Sequence, residues 1–215
     1  MRRVLQITAW DGPVAPILDA SSGDTVGHAS RANLAEVPPP PGGAGWRVCW
    51  SGWVGEADID SGWFERVPGG WMPSSQQTWK AVMQKVDEAD GVVLRPHARH
   101  LLSDGPGCRA WLQGGPGRHL LLDPVAMLEP EMLPDADEHI ERLLAMLGGN
   151  CWGVVFCDVR LIDEADRGLW CVPAAAGEGM LDMERFGRAV ERFVRGEALL
   201  LGLCSRDVAL LTSLR

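Results

Sequence analysis

Four short runs, apolar on both faces, constrain this chain more than any other feature. They are Gly91-Val92-Val93-Leu94-Arg95, His119-Leu120-Leu121-Leu122-Asp123, Gly153-Val154-Val155-Phe156-Cys157-Asp158 and Ala198-Leu199-Leu200-Leu201-Gly202-Leu203. A strand open to water on one side alternates apolar and polar residues; a strand covered on both sides does not. Their length fits strands better than helices. Amphipathic stripes lie between them. Ile140, Leu143, Leu144 and Leu147 recur at helical spacing behind acidic residues that suit a helix start, and Gly148-Gly149 ends the pattern. Met183, Phe186, Val190, Phe193 and Val194 form a second stripe, with Asp182 as N-cap and Leu181 and Phe186 spaced for a hydrophobic staple. Trp79, Val82, Met83 and Val86 form a third, after Ser74-Ser75. Strands alternating with helices build right-handed, parallel βαβ units.

At 215 residues the chain can bury one good core and is short for two, so residues 1–215 read as a single α/β domain. Residues 76–215 carry the regular βα units. Residues 1–75 are irregular and rich in Trp, Pro and Gly. Residues 4–9 and 46–54 are strand candidates there, and the Pro/Gly-rich stretch 38–45 is a loop. So few helical stripes precede Ser74 that part of any regular scheme is reduced in that half.

The formal net charge of −9 repels phosphate backbones. The one basic cluster, Arg95, His97, Arg99 and His100, is too small to bind a duplex by charge, so no nucleic-acid partner is expected. No segment approaches the roughly 20 apolar residues of a membrane span, and the first residues lack a signal-peptide pattern. None of the six cysteines stands in a C-x-x-C pair, and several lie in apolar runs. These features predict free thiols in a reducing cytoplasm, with no membrane association. There are ten Trp and no Tyr. The Trp residues, Trp10 among them, fill a core poor in other aromatics, or offer an interface to a protein partner or a second copy of the chain.

In parallel α/β folds ligands bind at the C-terminal ends of the strands. The residues there are Arg95 and His97, then Asp123, then Cys157, Asp158 and Arg160, then Glu178 in a Gly-Glu-Gly turn, and finally Cys204, Ser205, Arg206 and Asp207. Guanidiniums clamp phosphate or carboxylate, and carboxylates accept from sugar hydroxyls or act as bases. The set suits a small anionic or polyhydroxylated ligand. His97, Asp123, Asp158 and Glu178 are the donors available to a divalent metal, with Cys157 as a soft ligand, but their spacing carries no metal signature.

Residues 90–204 resemble the xylose isomerase-like TIM-barrel family of sugar phosphate isomerases and epimerases. The resemblance rests on Gly91-Val92-Val93-Leu94-Arg95-Pro96-His97, on Leu120-Leu121-Leu122-Asp123-Pro124, and on Val154-Val155-Phe156-Cys157-Asp158-Val159-Arg160 followed by Gly177-Glu178-Gly179-Met180-Leu181-Asp182. It implies a TIM-barrel-like fold of mainly parallel strands, here an incomplete or distorted (βα)8 barrel. It also implies where metal ligands would stand. Arg95 takes the place of a strand-ending Glu. Asp123 begins the Asp-x-x-His motif, but Ala126 holds the His position. Val155 or Cys157 stands where the next His is expected, and Leu201, Gly202 and Leu203 where the last Glu is expected. Of the usual four ligands only Asp123 remains, which implies a degenerate metal site with no cofactor. Two readings follow: a degenerate barrel that binds a ligand or serves as a scaffold, or a metal-independent isomerase. In the second, Asp123 or Glu178 is the base, Arg95 stabilises charge, and Arg95, His97, Cys157, Asp158 and Arg160 contact substrate.

Overall fold

The computed structural model of the chain describes residues 2–8, 14–41, 45–66 and 69–213. Eight strands close into a barrel: β1 (Val4–Ile7), β2 (Val14–Asp19), β3 (Thr25–Ser30), β4 (Trp46–Trp50), β7 (Val92–Arg95), β8 (His119–Leu122), β9 (Gly153–Phe156) and β12 (Leu199–Gly202). Each pairs with the next in that order, and β12 pairs with β1. All pairings are parallel except those of β2, which runs antiparallel to β1 and β3. The expected α/β barrel is therefore closed rather than open, and its distortion is one reversed strand.

The reversal has a local cause. A parallel partner needs a crossover long enough for a helix, whereas Asp19-Ala20-Ser21-Ser22-Gly23-Asp24 is turn chemistry. The Asp19 carboxylate accepts from the Ser21 N–H at 2.8 Å, the Gly23 N–H donates to the Asp19 carbonyl at 2.8 Å, and Gly23 supplies φ +76°. With no helix outside it, β2 buries alternate residues only, Ala15, Ile17 and Asp19. Strands β7 and β9, which have helices outside them, are buried at every position, as their two-sided apolar runs require.

The helices follow the regular half. They are α1 (Gln76–Asp87), α2 (Gly105–Gln113), α3 (Ala136–Leu147), α4 (Met183–Phe193) and α5 (Ser205–Ser213). Asp182 caps α4 as expected, accepting from the Arg185 N–H at 2.9 Å. Helix α2 begins on Gly-Pro-Gly, which reads as a loop. Its signal is Asp104, whose carboxylate caps the Gly107 N–H at 2.6 Å, with Pro in the first turn. Among the described residues no helix is long and apolar enough to cross a membrane.

Two hairpins leave the barrel, each between a strand and the helix that follows it. Strands β5 (Ala57–Asp58) and β6 (Trp63–Phe64) follow β4, and β10 (Asp158–Glu164) and β11 (Gly168–Ala174) follow β9. The apolar run Gly153–Asp158 is thus divided between two strands, with a break at Cys157. The strand candidate at 46–54 ends at Trp50, and of the candidate at 4–9, Ala9 lies outside the described residues, as does Trp10.

Candidate functional site

The hairpins roof the C-terminal end of the barrel and enclose a cavity of about 520 Å³. Its floor is built from strand ends: Ile7 on β1 and Thr8 after it, Trp50 on β4, Arg95 on β7, Val125 and Ala126 after β8, and Leu203 after β12. Its roof brings Ile59, Ser61 and Phe64 from one hairpin and Arg160, Ile162, Trp170 and Val172 from the other. The hairpins hold each other. Arg167 pairs with Asp58 at 2.7 Å and stacks on Trp63, and the Trp170 indole donates to the Ser61 carbonyl at 3.3 Å. Arg99 fastens both to the rim, donating to the Phe64 carbonyl at 2.9 Å, the Leu169 carbonyl at 3.1 Å and the Glu129 carboxylate at 3.2 Å.

Beneath the cavity lies a buried ion pair. Arg95 Nε donates to Asp123 Oδ2 at 2.7 Å, and the carboxylate is fully buried. Asp123 Oδ1 accepts the Ala126 N–H at 3.0 Å, so both oxygens are engaged. The Arg95 guanidinium lies over the Trp50 ring, 4.3 Å from its centre. Cys157 is fully buried; burial, and next the neighbouring Asp123 carboxylate, push its thiol well above the ordinary range.

The other carboxylates on the rim shape loops. Asp158 is fully buried and accepts four backbone N–H groups, from Val159 at 2.7 Å, Leu181 at 3.0 Å, Gly177 at 3.1 Å and Gly179 at 2.9 Å. A side chain at Gly179 would collide with this carboxylate and with the Val159 carbonyl. Asp207 is also fully buried. It accepts from Leu203 and Cys204 at the start of α5 and from Ala176 at 2.8 Å. Glu178 is exposed, paired with Arg206 and away from the cavity wall.

Of the seven candidate residues, Arg95, His97 and Arg160 line the cavity. Asp123 lies behind Arg95, Cys157 and Asp158 are buried in the rim, and Glu178 stands outside. Among the described residues no three His, Cys, Asp or Glu side chains gather into a group that could hold a metal ion. Arg160 is exposed and its guanidinium has no hydrogen-bond or ion-pair partner among the described residues.

His97 and His100 stack at 4.6 Å inside a box of aromatic rings from Trp50, Trp53 and Phe64. Burial first, then the nearby Arg95 and Arg99 charges, push His97 down to about 3, and burial holds His100 well below the ordinary range. Both imidazoles are neutral at pH 7. His97 Nδ1 accepts the Arg99 N–H at 3.1 Å, which places its ring proton on Nε2. Neither ring nitrogen of His100 has a partner among the described residues.

Sequence reasoning missed Trp50 on the floor, the roof residues Phe64, Ile162 and Trp170, and the role of Arg99 in seating that roof. Hairpins inserted between a strand and its helix leave the βα rhythm legible while hiding what they cover. Among the described residues, Trp46 packs against His119 and Trp152, and Trp79 against Trp111, whereas Trp71 is 66% exposed.

No protein-family model matches the chain, and no curated protein matches it. Solved structures do. One is a xylose isomerase domain protein from Planctomyces limnophilus, at 15% identity and TM-score 0.48, covering 78% of this chain and 58% of that one. Another is a xylose isomerase-like TIM-barrel protein from Mycobacterium smegmatis in complex with magnesium, at 13% identity and TM-score 0.46, covering 77% of this chain and 57% of that one. The chain thus spans less than two thirds of either.

Proposed function

We propose that this chain is a divergent, shortened xylose isomerase-like barrel that binds a small organic anion at its C-terminal rim without a metal. The observation that carries the reading is Arg160, an unpaired guanidinium on the wall of a roofed cavity. An arginine with no internal partner, held beside a recess of this size, is suited to clamp a carboxylate or phosphate.

The residues present do not fit a divalent cation. Where the resemblance implies a ligand set, Arg95 already neutralises Asp123, and the second Asp123 oxygen is taken by a backbone N–H. A cation here would have to displace a guanidinium held by a buried ion pair and an aromatic face. The arrangement also favours binding over isomerisation, since neither Asp123 nor Glu178 lines the cavity. The neutral His97 offers a hydrogen-bond donor to a ligand oxygen rather than a base. A scaffold role through the Trp-rich half has less support, because most of its described rings, Trp71 apart, are spent on packing.

Calorimetric titration with inorganic phosphate, ribose 5-phosphate and phenyl phosphate tests the reading. At least one ligand is expected to saturate at one site per chain and to bind about tenfold more weakly to Arg160→Ala, the loss of one charge-assisted contact of roughly 1.4 kcal/mol. Saturation by none of them, or equal affinity in the variant, would refute it.

A further inference from the structure

The polarity left free in the cavity narrows the ligand further, and this inference rests on the rim-cavity reading above. A polyhydroxylated ligand needs both donors and acceptors, since each hydroxyl donates one hydrogen bond and accepts others. The side-chain acceptors on this wall face other groups or solvent. Asp60 pairs with Arg31 at 2.8 Å and its side chain is 91% exposed, turned mostly to solvent. Glu164 lies 3.7 Å from Arg167 and is 45% exposed. The Ser61 hydroxyl donates to the Asp58 carbonyl at 3.2 Å and receives Arg167 at 3.4 Å. Thr8 Oγ1 donates to the Pro16 carbonyl at 3.4 Å.

What remains uncommitted is of the opposite kind. Arg160 is unpaired, and His97 carries its proton on Nε2, which has no partner among the described residues. Apart from Arg31 and Arg95, which pair with Asp60 and Asp123, much of the rest of the enclosure is apolar, from Trp50, Ile59, Phe64, Ile162, Val172 and Leu203. A sugar body set against these side chains would lose water from its hydroxyls without regaining hydrogen bonds, which is costly. A flat apolar body would gain by leaving water and by meeting the Trp50 and Phe64 rings.

We propose that the cavity takes an amphiphilic organic anion, with a carboxylate or phosphate head on Arg160 and His97 and an apolar, ring-sized body against Trp50, Phe64 and Ile162, in preference to a sugar phosphate. The head accepts hydrogen bonds from both residues, and the body fills the apolar enclosure below the hairpins.

The test compares phenyl phosphate with ribose 5-phosphate on the full chain, by calorimetry and by quenching of tryptophan fluorescence. Phenyl phosphate is expected to bind at least tenfold more tightly, and to weaken about tenfold in both Arg160→Ala and Arg160→Gln. The paired variants guard against one that folds poorly. Ribose 5-phosphate binding as tightly or more tightly, with the same dependence on Arg160, overturns the amphiphile while leaving the rim-cavity reading intact. Saturation by neither overturns the amphiphile, and failure of inorganic phosphate as well overturns the rim-cavity reading. Phenyl phosphate binding that is indifferent to both substitutions overturns the assignment of the head to Arg160.

Discussion

The two stacked imidazoles at the rim show how far one side chain's surroundings set its chemistry. His97 and His100 stand among aromatic rings 4.5–5.3 Å away, with Arg95 and Arg99 adding positive charge nearby. Both are held neutral in the folded chain, whereas in the unfolded chain each titrates near the ordinary 6.5. Below that pH the unfolded state takes up protons that the folded state refuses. Stability is therefore full above about pH 6.5 and falls as the pH drops, by up to about 1.4 kcal/mol per pH unit for each imidazole. For His97 the window runs down to about pH 3. His100→Phe keeps an aromatic ring in the box and removes one of these protons. Urea unfolding at pH 7 and pH 5 should show a smaller acid loss in the variant, and an unchanged loss would show that His100 is not a source of it. Much of this scale was legible in the sequence as position, and little as partnership. The rim residues Arg95, His97, Asp123, Asp158 and Arg160 fall at or beyond strand ends, as the apolar runs imply. That Asp158 would accept four backbone N–H groups while Arg160, two residues later, stays free depends on how the loop at 177–181 folds back, and no local pattern encodes that.

Among the elements, the hairpins decide what the barrel can hold. Each is a short antiparallel pair that would be marginal alone, and their stability comes from contacts with each other and the rim. Arg99 is central to this, because one buried guanidinium meets carbonyls of both hairpins and the Glu129 carboxylate. Arg99→Ala removes these bonds and leaves Glu129 paired only with the exposed Arg66, with a cost of about 3 kcal/mol. Hydrogen exchange should rise in residues 57–64 and 158–174 while the barrel strands keep their protection. Uniform loss of protection would mean that the roof is an integral part of the barrel core. Elements with one dominant periodicity, such as α3 and α4 and the four apolar strands, can be read directly from the sequence. The β2 reversal and helix α2 could not be read that way, because each is set by turn or capping chemistry in a segment whose composition suggests loop.

For the whole molecule, barrel closure is the organising fact. Pairing β12 with β1 leaves the barrel no edge, and it does so with one reversed strand and, among the described residues, with no helix before Gln76. The chain keeps the rim that a closed barrel provides while dispensing with part of the outer layer. On that rim Arg95 pairs with the buried Asp123, and Arg160 on the roof has no partner among the described residues. Our proposal that the rim works without a metal is tested most directly by calorimetric titration of the metal-free chain with Mg²⁺ and Mn²⁺, in parallel with Asp123→Asn. No stoichiometric uptake that depends on Asp123 is expected. One ion bound per chain, lost in Asp123→Asn, would contradict it.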